Sequence, residues 1–210
     1  MIENNKIDNI GVVIVCYNTP NIISNAVKSV YPHVHQVCII DNSDKNNHCF
    51  SECDELSQKI NNVFVHHTNA NIGHGPGLNI GIEKLNTMYI ICMDSDAFLI
   101  DLSIINEMKN ELKPDVYGCG RVLNIPNNPD YLWLPFCMFK KETFLKYHPF
   151  INSGAPFEET MKDINGKLKL IHIPNLVQRV GHEGRATRKI VIDWEFAGNW
   201  EKSIKNKDIK

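Results

Sequence analysis

The chain has 210 residues, 43% hydrophobic and 22% charged, with a formal net charge of -2. That length suits one large domain or two small ones with a real core, and the composition is that of an ordinary globular protein. The near-neutral balance, with no long Lys/Arg run before the tail, argues against nucleic acid as the main partner. Apolar runs such as Val12–Cys16 and Tyr89–Met93 are too short to span a bilayer, so no transmembrane segment is expected.

In chain order, Ile10–Cys16 is a continuous apolar run, as in a strand buried on both faces. Asn18-Thr19-Pro20 ends it. Asn21–Val30 carries Ile22, Ile23, Ala26, Val27 and Val30 at helical spacing, with Thr19 or Asn21 available as a cap. Val37–Ile40 and Val63–His66 read as further strands. Gly77–Leu85 reads as a helix and Met88–Met93 as a strand ending at Asp94. This β-α-β-(α)-β-α-β order predicts an α/β fold with a mainly parallel sheet and covering helices. The second half is less regular. Helices are expected at Leu102–Leu112, Lys141–Tyr147 and Pro156–Ile164, the last with Gly166 in a C-terminal position. Strands are expected at Tyr117–Leu123, Trp133–Phe139 and Leu168–Ile173, and the polar tail from Ile190 should fray.

The seven cysteines, Cys16, Cys38, Cys49, Cys53, Cys92, Cys119 and Cys137, are odd in number and scattered. Cys16, Cys38 and Cys92 lie in apolar runs and read as small hydrophobes. Cys49 and Cys53 resemble half a zinc site, but no second Cys or His pair follows at suitable spacing, so zinc is not expected. A reducing compartment is the simplest reading. The polar opening MIENNKIDN lacks the apolar core of a signal peptide, and a cytoplasmic location follows as an expectation.

Ligands of parallel sheets bind at the carboxyl ends of the strands. Tyr17 and Asn18, Asp41, the segment Asn69–Asn79, and Asp94-Ser95-Asp96 all fall there. Two carboxylates one residue apart at a strand end can share a hard divalent cation, which can neutralise a diphosphate leaving group. The alternative is a pair of solvated turn carboxylates. The segment from Asn71 to Gly81 holds Gly73, Gly75, Gly77 and Gly81. Its glycines permit positive φ and close backbone approach to a ligand, and a helix beginning near Gly77 would aim N–H groups at an anion. A glycine-rich turn is the plainer reading. It is neither a dinucleotide fingerprint, which would need a glycine at Leu78, nor a P-loop.

Taken together, Val13-Ile14-Val15-Cys16-Tyr17-Asn18, Ile39-Ile40-Asp41-Asn42-Ser43, Asn71 through Ile82, and Asp94-Ser95-Asp96 resemble the family 2 glycosyltransferases of the GT-A fold. The resemblance is close over residues 10–100 and looser to about 188. It implies a single GT-A domain over 1–210: a nucleotide-sugar-binding half (1–100), an acceptor-side half (101–189) and a C-terminal tail (190–210). It implies that Tyr17 and Asn18 line the nucleoside pocket and that Asp41 hydrogen-bonds the base, commonly uracil. Asn71, Gly73 and Asn79 would border the nucleotide-sugar, Asp94 with Ser95 would face the ribose or donor sugar, and Asp96 would hold Mn²⁺ or Mg²⁺.

On the acceptor side the resemblance implies a carboxylate at a helix start, then a strand, a proline and a histidine. Glu158 and Glu159 are the first match for the general base, although the family's usual Glu-Asp pair is absent as such, and Asp163 is an alternative. An inverting transfer needs that base to take the acceptor proton as the bond forms. First-turn charges favoured by the helix dipole are the structural alternative. His182, in Val180-Gly-His-Glu-Gly184, is a candidate third metal ligand or a plain loop histidine. His74 is a weaker donor-site candidate. Arg185 and Arg188 could meet the diphosphate, and Trp133 could stack on a sugar or fill the core. The expected activity is inverting transfer of a hexose from a nucleotide-sugar, UDP-linked by preference, to the hydroxyl of an acceptor glycan, lipid-linked sugar or protein. The alternatives are an inactive GT-A scaffold that binds nucleotide or glycan, or a nucleotidyltransferase. The latter lacks its expected Gly-rich loop after the first strand.

Overall fold

A computed structural model of the chain describes residues 7–152 and 154–183. Its centre is β1 (Ile7–Cys16), buried without a break from Ile10 to Cys16. Parallel to it on one side run β2 (Val34–Asp41) and then β3 (Val63–His67), and on the other β4 (Tyr89–Asp94). Beyond β4 the sheet continues through β7 (Tyr131–Lys140), β6 (Val116–Leu123) and β8 (Lys169–His172). β7 is antiparallel to both its neighbours, and β6 pairs β8 in parallel. A separate two-stranded sheet joins β5 (Ala97–Leu99) to β9 (Val180–His182). The α/β expectation with a mainly parallel sheet is met.

The strand pleat sends alternate residues of β1 to opposite faces. Ile10, Val12, Ile14 and Cys16 pack under α1 (Ile22–Val30), α2 (His48–Lys59) and α4 (Ser103–Glu111). Val13 and Val15 face α3 (His74–Lys84), with α5 (Lys141–Phe144) and α6 (Glu158–Ile164) completing that layer. A short α7 (Leu176–Arg179) leads into β9. Every expected element is found, most of them displaced by a few residues at one end or both. Gly166 sits just past α6 with φ 72°, as a helix-terminating glycine should.

Three details depart from the sequence reading. The helix placed at Gly77 begins one turn earlier, at His74, with Gly73 before it at φ 94°. The start of α1 is not capped by the side chain of Thr19 or Asn21; Glu52 of α2 accepts from the Asn21 N–H at 2.7 Å and from the Ser24 hydroxyl. α2 itself had no firm position in the sequence because it buries only Cys49, Cys53 and Leu56. The tail from Ile190, and Arg185 and Arg188, lie outside the described residues.

α3 lies unusually close to the sheet. A Cβ on Gly81 would stand 2.3 Å from Val13 Cγ1, and one on Gly77 would stand 3.0 Å from Val15 Cγ1. These two glycines set the helix–sheet distance rather than the approach of a ligand. Among the described residues no helix is long and apolar enough to cross a membrane.

Candidate functional site

β4 delivers Asp94 at its last residue, paired in register with Val15 of β1. The chain turns at Ser95-Asp96 and enters β5, whose Ala97 pairs with His182 of β9. That pairing, together with the Glu183 N–H bonded to the Asp96 carbonyl at 3.0 Å, brings His182 over the carboxylates. His182 Nε2 lies 3.1 Å from Asp96 Oδ1 and 3.5 Å from Asp94 Oδ2. His74 Nε2 approaches Asp94 Oδ1 from the far side at 3.5 Å. Ser95 and Asp96 are buried, while His182 keeps 24% of its side chain exposed. Burial pulls the His182 pKa down, but hydrogen bonds to Asp94 and Asp96 and their charges outweigh it and push the pKa up to about 10.

One ligand atom each from Asp94, Asp96 and His182 lie within 4.8 Å of one another. Among the described residues Asp94 Oδ1 is buried with no hydrogen-bond partner and only the 3.5 Å approach of His74, which costs about 1–3 kcal/mol unless something else satisfies it. Two carboxylates and an imidazole form a donor set suited to a divalent ion such as Mn²⁺. The residues therefore fit a metal of that class.

The nucleoside-side residues are tied to each other. Asn18, at φ 51°, donates from its backbone to Ser43 Oγ at 2.8 Å. Its side-chain amide donates to Asp44 Oδ2 at 2.9 Å and accepts from the Asp44 N–H at 3.1 Å. The carboxyl ends of β1 and β2 are thus joined. Tyr17, beside them, is partly buried.

Asp41 does not stand at a pocket surface. It is 0% exposed; Oδ1 accepts from the Ser43 N–H at 2.9 Å and faces Cys16 Sγ at 3.5 Å, and Oδ2 lies 2.7 Å from His67 Nδ1. Both oxygens of Asp41 are thus engaged within the protein. Neighbouring Asn42, not singled out from the sequence, links the strands instead, donating to the Gly73 carbonyl at 3.2 Å and accepting from Thr68 Oγ1 at 2.9 Å.

In the glycine-rich segment, Asn71 Oδ1 accepts from the Gly73 N–H at 3.0 Å and stays exposed beside the helix start. Asn79 is engaged elsewhere. Its amide donates to the Phe150 carbonyl at 2.9 Å and accepts from the Phe150 N–H at 3.1 Å. A Cβ at Gly75 would meet the Ile151 carbonyl oxygen at 2.1 Å. Gly75 and Asn79 therefore seat the 150–152 segment on α3, with Asn79 tying that helix to the Phe150 backbone.

Glu158 and Glu159 occupy the first turn of α6, half exposed, and both hold Lys162 at 2.8 Å. The Lys162 ammonium keeps Glu159 below the usual carboxylate range. Neither belongs to the three-residue cluster. Asp163 accepts from the His148 N–H at 3.1 Å and pairs with Lys167 at 2.9 Å. Trp133 of β7 stands edge-on to His182, ring centroids 5.4 Å apart, with the Arg121 guanidinium 5.6 Å over its ring. The indole thus stands beside the cluster, where the sequence offered either a sugar platform or a core aromatic.

No protein of curated function matches the sequence. Among solved structures, the chain is similar to the mannosyltransferase PcManGT of Pyrobaculum calidifontis in complex with GDP-Man and Mn²⁺: TM-score 0.66, 14% identity, 82% of this chain and 56% of that one. It is similar to GalNAc-T7 with UDP, GalNAc and Mn²⁺: TM-score 0.62, 16% identity, 83% of this chain and 43% of that one. It also resembles S. aureus TarS, at TM-score 0.56 and 14% identity, over 80% of this chain and 35% of that one. The chain thus spans little more than half the length of these structures or less, and at such identities they show the shared GT-A architecture alone. The family described as glycosyl transferase family 2 matches residues 11–163, most of the described length. With the sheet order and the strand-end cluster above, this places the chain in glycosyltransferase family 2.

Proposed function

We propose that the chain is a metal-dependent inverting glycosyltransferase that moves a hexose from a nucleotide-sugar, UDP-linked by preference, to an acceptor hydroxyl. The observation that carries this reading is the convergence of Asp94, Asp96 and His182 at the carboxyl end of β4. The complexes of PcManGT with GDP-Man and Mn²⁺ and of GalNAc-T7 with UDP and Mn²⁺ support a nucleotide-linked donor and a divalent ion. The first favours a guanine nucleotide and the second uracil, so the base is a matter for experiment.

In this reading Asp94, Asp96 and His182 hold Mn²⁺ or Mg²⁺. When bound, that ion supplies positive charge against the diphosphate as the sugar leaves. Tyr17, Asn18 and Asn42 line the nucleoside side, held in place by the Asn18–Asp44 and Asn42–Gly73 bonds. Asn71, Gly73 and His74 border the donor from the α3 end, and Ser95 supports the turn between the carboxylates. Trp133 offers an apolar face for a sugar beside His182. The general base is Glu159 or Glu158. Glu158 and Glu159 each meet Lys162 through one carboxylate oxygen, whereas both oxygens of Asp163 are engaged. Asp163 is the weaker candidate because the His148 N–H and Lys167 already engage it.

The test is thermal unfolding against UDP, GDP, dTDP and CDP, each with and without Mn²⁺. A ligand held only by the native state adds about 2.7 kcal/mol at a hundredfold excess over its Kd. A metal-dependent shift with one nucleotide supports the donor site and names the base. Donor turnover is then measured in Glu158→Gln, Glu159→Gln and Asp163→Asn. If nucleotide binds but none of the three changes turnover, the acceptor-side assignment fails; if no nucleotide binds, the donor reading fails.

A further inference from the structure

A second cluster lies beneath the nucleoside-side loops and takes no part in the reading above. Cys16 ends β1 and Asp41 ends β2, and the two are register partners. Cys49 and Cys53 project from one face of α2, four residues apart, onto the same point. One atom from each of the four, three sulfurs and a carboxylate oxygen, lies within 4.8 Å of the others, and all four residues are buried. We infer that Cys16, Asp41, Cys49 and Cys53 form a structural Zn²⁺ site that staples the carboxyl ends of β1 and β2 to α2.

The distances carry this. A tetrahedral zinc with Zn–S near 2.3 Å and Zn–O near 2.0–2.2 Å puts its ligands about 3.8 Å apart for S···S and about 3.5 Å for S···O. Cys16 Sγ lies 3.6 Å from Cys53 Sγ and 3.5 Å from Asp41 Oδ1. All three cysteines are free, the 3.6 Å between Cys16 and Cys53 sulfurs being well beyond a disulfide bond of about 2.05 Å. Plain packing of thiols does not account for a carboxylate oxygen, Asp41 Oδ1, set among them. Asp41 is 0% exposed, and among the described residues its ion-pair partner is His67, 2.7 Å from Oδ2 and shared with Asp54, while Oδ1 faces the sulfurs. A buried carboxylate needs a charged partner or a cation.

The surroundings fit a metal as well. Metal ligands are oriented by outer hydrogen bonds. Here His67 bridges Asp41 Oδ2 at 2.7 Å and Asp54 Oδ1 at 3.0 Å while stacking on Phe50, so Asp41 Oδ1 is turned toward the sulfurs. Cys49 sits in the first turn of α2, where the helix dipole favours a thiolate. On binding, the three thiols lose their protons to solvent and ligate as thiolates. Such a site holds the loops that carry Tyr17, Asn18 and Asn42.

The protein is purified without added metal and dialysed against EDTA, which strips an exposed Mn²⁺ site first. Elemental analysis then reads zinc. About one zinc per chain is expected, and it should persist in Asp96→Asn and in Cys38→Ala. It should fall below about a tenth in Cys53→Ser. Because Cys53→Ser can fail to fold, wild-type protein refolded anaerobically with Co²⁺ is the second readout. Thiolate-to-cobalt charge transfer with intense tetrahedral d–d bands is expected. Zinc-free wild type that binds no Co²⁺ through thiolate, or peptide mapping that finds a disulfide among Cys16, Cys49 and Cys53, overturns the inference.

Discussion

Gly75→Ala separates two roles for the glycine-rich segment by the sign of its effect. If Gly75 is open until a ligand arrives, alanine in helix α3 should stabilise the free protein by up to about 1 kcal/mol through helix propensity. The structure puts the new Cβ 2.1 Å from the Ile151 carbonyl oxygen and 2.7 Å from its carbon. Both are backbone atoms and cannot rotate aside. The 150–152 segment must retreat by roughly 1 Å to restore normal contact. That movement stretches the two bonds between Asn79 and the Phe150 backbone, at 2.9 and 3.1 Å, each worth about 1 kcal/mol. Overpacking adds about 1–3 kcal/mol. After the propensity gain, Gly75→Ala should be destabilised by about 1–3 kcal/mol. Urea unfolding of the ligand-free protein reads this directly. Combining Gly75→Ala with Asn79→Ala should give less than the sum of the two, since the first already disturbs the bonds the second removes. A Gly75→Ala protein as stable as wild type would show that the segment does not rest on α3.

Other outcomes follow from the same geometry. His182→Ala and Asp96→Asn should each abolish Mn²⁺ binding, read by paramagnetic resonance of free Mn²⁺, while circular dichroism stays native. Asn18→Gly should retain more stability than Asn18→Ala, by about 1 kcal/mol in denaturant, because φ is 51° and only the alanine is strained there. Arg179 binds Asp101 at 2.8 Å, Glu107 at 2.5 Å and Ser103 at 2.9 Å just before β9. Arg179→Ala should cost about 1 kcal/mol and also weaken Mn²⁺ affinity in a titration, because β9 carries His182. Gly81→Ala should destabilise the fold by about 1–3 kcal/mol against urea, since Val13 is fully buried and has no space to yield.

What the sequence alone determined is whatever depends on neighbours along the chain. The continuous apolar runs of β1, β2 and β4 announce strands buried on both faces, and the order of runs and amphipathic stretches announces an α/β sheet. Asp94-Ser95-Asp96 and its place at a strand end are local too, as is the ordered set of motifs behind the family resemblance. α2 was nearly invisible because three buried positions in a polar helix leave little periodicity.

Contacts between distant segments were decided only by the tertiary structure. β5 must pair β9 before His182 can stand over Asp96, and no spacing in the chain encodes that pairing. Asn79 reads as a ligand-site polar group in the sequence, and only the fold shows it clamping the Phe150 backbone. Asp41 reads as a base contact in the sequence, and only the fold shows the three thiols gathered about it. Cys16 looked like a small hydrophobe and Cys49 with Cys53 like half a site, because the side chains gathered with them come from other elements. A hydrogen bond or a metal ligand set depends on distances of a few ångströms, and chain folding, not chain order, sets those distances.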